Sequence, residues 1–277
     1  MRSIVGLIVL AASAACSIST DASRSPSSPP APPTNPSSGV LLKNIEISTL
    51  PSPFYHFDYD ATGQISGASF ASSLSTYTVS YANGRLDAMR NSGPINSNRL
   101  VYSYDNLGRC TAVRYLDSIG NAVAIVFLGY NGQQLTTLER DRLVTGGGVV
   151  EKTMSFTYGA DGNLTDVTER HPAVAGERDE STVTDHYEDY DRGINVDGFS
   201  LLHSEFFDDL VLLPQVQLQK GNPRTVTHTG DGENFRVQYG YVYDAQNRPL
   251  ARNGVITLTS GPNVGQQIPS TTTFSYY

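Results

Sequence analysis

Tryptophan is absent from this chain of 277 residues, and cysteine occurs only at Cys16 and Cys110. With Cys16 at the head of the chain, Cys110 has no partner for a disulfide within the body of the sequence, so packing and hydrogen bonds must hold the fold. Cys110 reads as a small buried hydrophobe, because a catalytic thiol needs a nearby histidine and a depressed pKa. Basic residues are scarce: 19 Lys and Arg face 27 Asp and Glu, for a net charge of −8. No basic run exists, and phosphate contacts need clustered Lys and Arg, so a nucleic-acid partner is excluded. The five histidines, at positions 56, 171, 186, 203 and 228, form no His-x-His or His-Glu-x-x-His pair, so zinc has no signature. No Gly-x-Ser-x-Gly elbow is present. Gly146-Gly147-Gly148 reads as a flexible turn, since no helix follows to bring its N-terminus to a phosphate.

What is there is a returning phrase: an aromatic pair, a tight turn, then a new apolar run. It appears as Phe57-Asp58-Tyr59-Asp60-Ala61-Thr62-Gly63, as Tyr102-Ser103-Tyr104-Asp105-Asn106-Leu107-Gly108-Arg109, and as Phe156-Thr157-Tyr158-Gly159-Ala160-Asp161-Gly162. A looser copy is Tyr241-Val242-Tyr243-Asp244-Ala245-Gln246-Asn247-Arg248, and shorter turns follow Tyr81 and Tyr130 as Asn83-Gly84 and Asn131-Gly132. Aromatics two apart share one face of a strand, and Asn-Gly is a strong hairpin signal because a type I′ turn needs positive φ at both positions. After each turn the next apolar residue lies three on (Leu86 and Met89, Cys110 and Val113, Leu135 and Leu138, Leu164 and Val167), where alternation demands two. A β-bulge just after each turn accounts for that spacing; a sheet buried on both faces is the alternative. The matched tyrosines, Tyr59, Tyr81, Tyr104, Tyr130 and Tyr158, lie 22, 23, 26 and 28 residues apart, each interval about two strands and two turns. The drift argues against a solenoid and for an all-β fold: a curved antiparallel meander of successive hairpins, closing on itself as far as a half-barrel. The tyrosines are expected half-buried, with the hydroxyl reaching water.

The Tyr-Asp-x-x-Gly-Arg-Leu phrase, best matched from Tyr104 to Cys110, resembles the YD repeat of Rhs-type bacterial surface proteins. The layout as a whole resembles bacterial lipoproteins with YD-like sheets, through the repeats, Gly221-Asn222-Pro223-Arg224-Thr225-Val226, and Thr272-Thr273-Phe274-Ser275-Tyr276. Gly159 stands where the pattern has Asp, and Asn247 where it has Gly. The resemblance brings no catalytic residues with it.

Residues 1–16 read as a secretion signal: Arg2, then an apolar run from Ile4 to Ala15, too short for the ~20 residues that span a bilayer. Ser13-Ala14-Ala15-Cys16 resembles the lipobox of bacterial lipoproteins, which implies lipidation of Cys16; Ser13 departs from the aliphatic residue preferred there. Ordinary cleavage at a small-x-small site, with Cys16 incidental, is the alternative. Ser17, in place of Asp, favours the outer membrane by the same resemblance, without telling which side. Residues 17–39, rich in Ser and Pro, read as a disordered, partly polyproline tether. Residues 40–277 form the β domain.

One stretch breaks the strand pattern. Phe199, Leu202, Phe206, Leu210 and Leu213 carry the spacing of an amphipathic helix, with Asp197 or Ser200 to cap it and Pro214 to end it. A helix near 199–213 packed on the sheet is therefore expected. Before it lies the densest acidic region, from Glu177 to Asp197. A Ca²⁺ ion there would be held by Asp185, Glu188, Asp189 and Asp191, which crowd into seven residues. The spacing matches no EF-hand loop, and the reading is a solvated acidic loop with no metal and no cofactor.

The function this sequence supports is an envelope-anchored lipoprotein with a non-catalytic binding or scaffold role, its partner an envelope protein, glycan or lipid. The lack of tryptophan weakens a carbohydrate-binding reading. A carrier of apolar ligand, enclosed by a curved sheet and a capping helix, is the second reading. A hydrolase using paired carboxylates is the third.

Overall fold

A computed structural model describes residues 40–92, 98–203 and 211–277. Strands β1 to β6 are Leu42–Ile47, Tyr55–Tyr59, Ile65–Phe70, Ser75–Ala82, Arg85–Asn91 and Arg99–Tyr104. Strands β7 to β11 are Cys110–Leu116, Ala122–Asn131, Gln134–Val144, Gly147–Tyr158 and Leu164–His171. Strands β12 to β16 are Ser181–Glu188, Thr225–Gly230, Phe235–Tyr243, Pro249–Leu258 and Gln267–Tyr276. Each pairs antiparallel with its neighbours in sequence, and β1 also pairs with β16, Ile45 lying opposite Phe274. The expected half-barrel is thereby corrected to a closed barrel. Closure gives the backbone groups of the first and last strands partners that open edges would lack.

The bulges fall where the three-residue spacing put them. The register shifts at Tyr59, Tyr81, Tyr104, Tyr130, Tyr158 and Tyr243, which lie opposite Ile65, Leu86, Cys110, Leu135, Leu164 and Pro249. One extra residue just inside the returning strand turns the next apolar side chain back to the interior. Asn83 and Gly84 both hold positive φ, as a type I′ turn requires; at Asn131-Gly132 only the glycine does. In the longer turns Gly63, Gly108 and Gly162 take the left-handed position, and Asn247 takes it at φ 63° in the copy without glycine.

The hydroxyls of the repeat tyrosines do not turn to water. Tyr59 donates to Leu42 O, Tyr104 to Leu86 O, Tyr158 to Leu135 O and Tyr276 to Pro249 O, at 2.6–2.9 Å. Each reaches back across one hairpin to the start of its returning strand, so the aromatics stitch successive hairpins along one rim. Burial pushes the Tyr59 and Tyr158 hydroxyls up to about 12. The Tyr130 hydroxyl has no partner among the described residues. In two of the units an Arg closes the turn: Arg109 pairs with Asp105 at 2.7 Å and lies over the Tyr130 ring, and Arg248 pairs with Asp244 at 2.6 Å over Tyr276.

Turn aspartates anchor the same rim. Asp60 Oδ1 accepts from the Thr62 hydroxyl and from the amides of Thr62 and Gln64, and side-chain bonding to Thr62 leads in holding it below the usual 3.8. At Asp105 and Asp244 burial pulls upward but is outweighed by the amides and guanidinium of Arg109 and Arg248, so both also lie low. Groups depressed on folding contribute stability that is present above the unfolded value and lost as pH falls through the folded one. The melting midpoint is therefore expected to drop steeply below about pH 4. The Asp105→Asn/Asp244→Asn double variant should flatten that acid slope; an unchanged slope in scanning calorimetry would show that these turns do not govern acid sensitivity.

The buried side chains of the strands face inward. Tyr77, Met89, Leu100, Val113, Val126, Leu135 and Leu164 are buried to 2% exposure or less. On many strands the outward positions are polar: Thr76 and Thr78 on β4, Ser155 and Thr157 on β10, Asp166, Thr168 and Arg170 on β11, Thr182 and Thr184 on β12, all half-buried or exposed. On β8 they are apolar, Val123, Ile125 and Phe127, and Val242 and Val255 are exposed elsewhere on that wall. A barrel that crosses a bilayer needs an apolar outer band about 25 Å tall with aromatic girdles; β4 and β10 to β12 present polar side chains there, and β8 an apolar row.

The helix expected near 199–213 is corrected as well. The described part of that stretch holds one turn of 3-10 helix, Gly198–Leu202, and an irregular, buried Val211-Leu212-Leu213; Phe206 and Leu210 lie outside the described residues. Of the stripe's described residues, Phe199, Leu202 and Leu213 belong to a strap between β12 and β13 and lie among core side chains. Such a segment needs frequent apolar residues without needing a helical surface.

Candidate functional site: the strap and the cavity beside it

The strap runs from Asp189 to Arg224, and its contacts reach strands far apart around the barrel. Phe199 packs edge-on against Tyr55 and Phe57 of β2, at ring separations of 4.9 and 5.0 Å. His203 Nδ1 meets the Tyr55 hydroxyl at 3.0 Å. Across the barrel, Lys220 and Gly221 donate their amides to Asn163 Oδ1 in the turn between β10 and β11. Barrels of 16 strands otherwise enclose an aqueous lumen; here Leu202, Val211, Leu212, Leu213 and Leu218 belong to the same core as the inward wall.

The roots of the strap are fixed at places where the repeat phrase departs from its pattern. Asn163 stands where the copies at Asp105 and Asp244 have Arg, and its side chain receives the strap instead. Asn247, standing for Gly, donates through Nδ2 to Arg192 O and accepts at its own carbonyl from Ile194 N. Tyr190 donates to Leu164 O at 2.7 Å, taking the place of a repeat tyrosine in the rim. Asp191 accepts from Gly193 N, Asn222 N and the Tyr243 hydroxyl, with its side chain 7% exposed. Gly193 lies under the Tyr243 ring and Gly221 against the Asp191 carbonyl, so a Cβ at either would collide.

The four acidic residues singled out as calcium candidates are not brought together. Asp185 points inward on β12 and pairs with His228 at 2.7 Å, and burial pushes its carboxyl up. Glu188 lies on the outer wall, 3.6 Å from His186. Asp189 accepts from the Thr225 hydroxyl, and Asp191 ties the strap. Among the described residues no cluster of three or more His, Cys, Asp or Glu has the geometry to hold a metal. Cys110 is buried on β7, and burial pushes its thiol up to about 12, far from a reactive thiolate. Of the inner carboxylates, Glu169 is held by His171 at 2.6 Å with Lys152 at 3.8 Å, and Asp197 by Arg252 at 3.1 Å. On the outer wall, hydrogen bonding to Asp166 lifts His186 above its usual 6.5. Cys16 lies outside the described residues.

Between the strap and β1 to β3 is a cavity of about 480 Å³. The barrel side supplies Val40, Leu42, Phe57, Tyr59 and Ile65, and the strap supplies Val196, Phe199, Leu212, Leu213, Val216 and Leu218. The sequence pointed to a space under residues 199–213 but not to residues 214–219, whose only signal was the alternation of Val216 and Leu218 with Gln215, Gln217 and Gln219.

Fold and site together define a class: a closed antiparallel barrel with a strap packed into its interior and a ligand-sized cavity beside it. Crystal structures of similar barrel fold include two titled porin-like proteins. The one from Bacteroides uniformis ATCC 8492 matches at a TM-score of 0.60 and 14% identity, over 90% of this chain and 100% of that one. The one from Bacteroides vulgatus ATCC 8482 matches at 0.55 and 15%, over 86% and 99%. No protein-family model and no curated protein matches the chain. At these identities the likeness is one of fold alone.

Proposed function

We propose that this chain is a non-catalytic binding module of a bacterial envelope, held to the outer membrane through a lipid on Cys16 and spaced from it by residues 17–39. The observation that carries the reading is the polar outer face of β4 and β10 to β12 around an interior that holds the strap, which suits a barrel standing in water beside a membrane. The porin-like titles of the two barrels of similar fold agree with an envelope setting, and the paired states of Asp185, Glu169 and Asp197 leave little for a carboxylate hydrolase to use.

Metabolic labelling with a palmitate analogue should tag the wild type and not Cys16→Ala. The variant should also leave the membrane fraction on alkaline carbonate extraction. A Cys16→Ala protein that stays in the carbonate-washed membrane until detergent is added would mean that the barrel itself is inserted, and the reading would fall.

A further inference from the structure

We infer that the cavity beside the strap holds the acyl chain of a lipid. Its volume, about 480 Å³, lies in the range of small-molecule sites, roughly 300–1,000 Å³. Among the described residues no Asp, Glu, Lys, Arg or His lines it. Its polar lining is turned to other partners: the Tyr59 hydroxyl to Leu42 O, Asn195 Nδ2 to Gln219 and Asn222, and Gln219 Nε2 to the Tyr190 hydroxyl. Gln217, exposed at the edge, is the polar group left to meet a head group. The space is half open, but its inner lining is mostly apolar and its side-chain amides are already paired, so an apolar ligand gains more there than a polar one. A charged ligand would find no ionisable side chain among the lining residues to replace its water. An alkyl chain gives up no hydrogen bonds on entry, and its flexibility suits a space bounded by a barrel wall on one side and an irregular strap on the other. The inference rests on the proposed envelope location only for the supply of lipid, not for binding.

The test titrates the purified full chain with the fluorescent fatty acid cis-parinaric acid. Saturable binding at one probe per chain is expected, reversed by oleic acid or by lysophosphatidylcholine. Displacement by oleic acid alone identifies a free fatty acid, and displacement by the lysolipid identifies a phospholipid tail. Val216→Trp, which fills the cavity from the strap, should weaken probe binding at least about tenfold because the ring occupies volume the chain needs. Ile65→Trp should do the same from the barrel side. Phe127→Trp, on the outer wall, should bind as the wild type does. The protein has no tryptophan of its own, so blue-shifted emission from Val216→Trp certifies that the ring is buried in a folded protein. Absence of saturable binding to the wild type overturns the inference, as does displacement by neither lipid. Folded Val216→Trp or Ile65→Trp with unchanged affinity does so too. None of these outcomes bears on the Cys16 extraction, so the two readings fail separately.

Discussion

Replacing Asp191 by alanine is expected to destabilise the protein by about 3 kcal/mol, because a buried carboxylate leaves several donors without an acceptor. Gly193 N, Asn222 N and the Tyr243 hydroxyl all converge on it, and the first two lie on opposite roots of the strap. For a domain of this size the loss corresponds to a fall in melting midpoint of roughly 6–12 °C. The local effect should exceed the global one. With its roots untied, the strap between 189 and 224 should become the first site of limited proteolysis, ahead of the exposed turns. Asp191→Asn, which keeps one acceptor oxygen, should fall between. A midpoint within a degree of the wild type would show that the strap is held by its apolar packing alone.

The second large effect is expected at Leu164, fully buried as the first residue of β11. Leu164→Ala removes a side chain from a closed wall that cannot collapse around the gap, and should cost about 2–5 kcal/mol. Leu107 sits inside another repeat turn but is 64% exposed; Leu107→Ala should change stability by less than about 0.5 kcal/mol. Urea denaturation reads both: the midpoint should shift for Leu164→Ala at unchanged slope. Equal shifts would mean that the inward face of the wall is not the core.

The hairpins were legible because their signals are local. Asn83-Gly84, the Asp and Gly of the longer turns, and the three-residue spacing after each turn all act within about ten residues, and turn and bulge geometry answer to that range. The role of the tyrosines was half legible. Their burial followed from alternation, but the hydroxyls find carbonyls a hairpin away, and no pattern within one hairpin reveals the neighbour's register. The departures at Asn163 and Asn247 were visible as departures. Their meaning was not, since it lies in a strap that meets them from 53 to 58 positions along the chain.

The stripe from Phe199 to Leu213 shows the limit of periodicity. Spacings of three and four mark a helix when one side faces water; a strap packed among core side chains need not keep a side for water, and the same spacing then fixes no secondary structure. By itself the sequence determined the strands, their turns and bulges, and which face of each is apolar, because these follow from backbone preferences and side-chain alternation. Tertiary structure alone decided that β1 meets β16, that the strap packs into the interior, and that a cavity remains beside it. An inward-facing residue reads the same in an open sheet as in a closed one, and closure rests on the pairing of Ile45 with Phe274 at opposite ends of the domain.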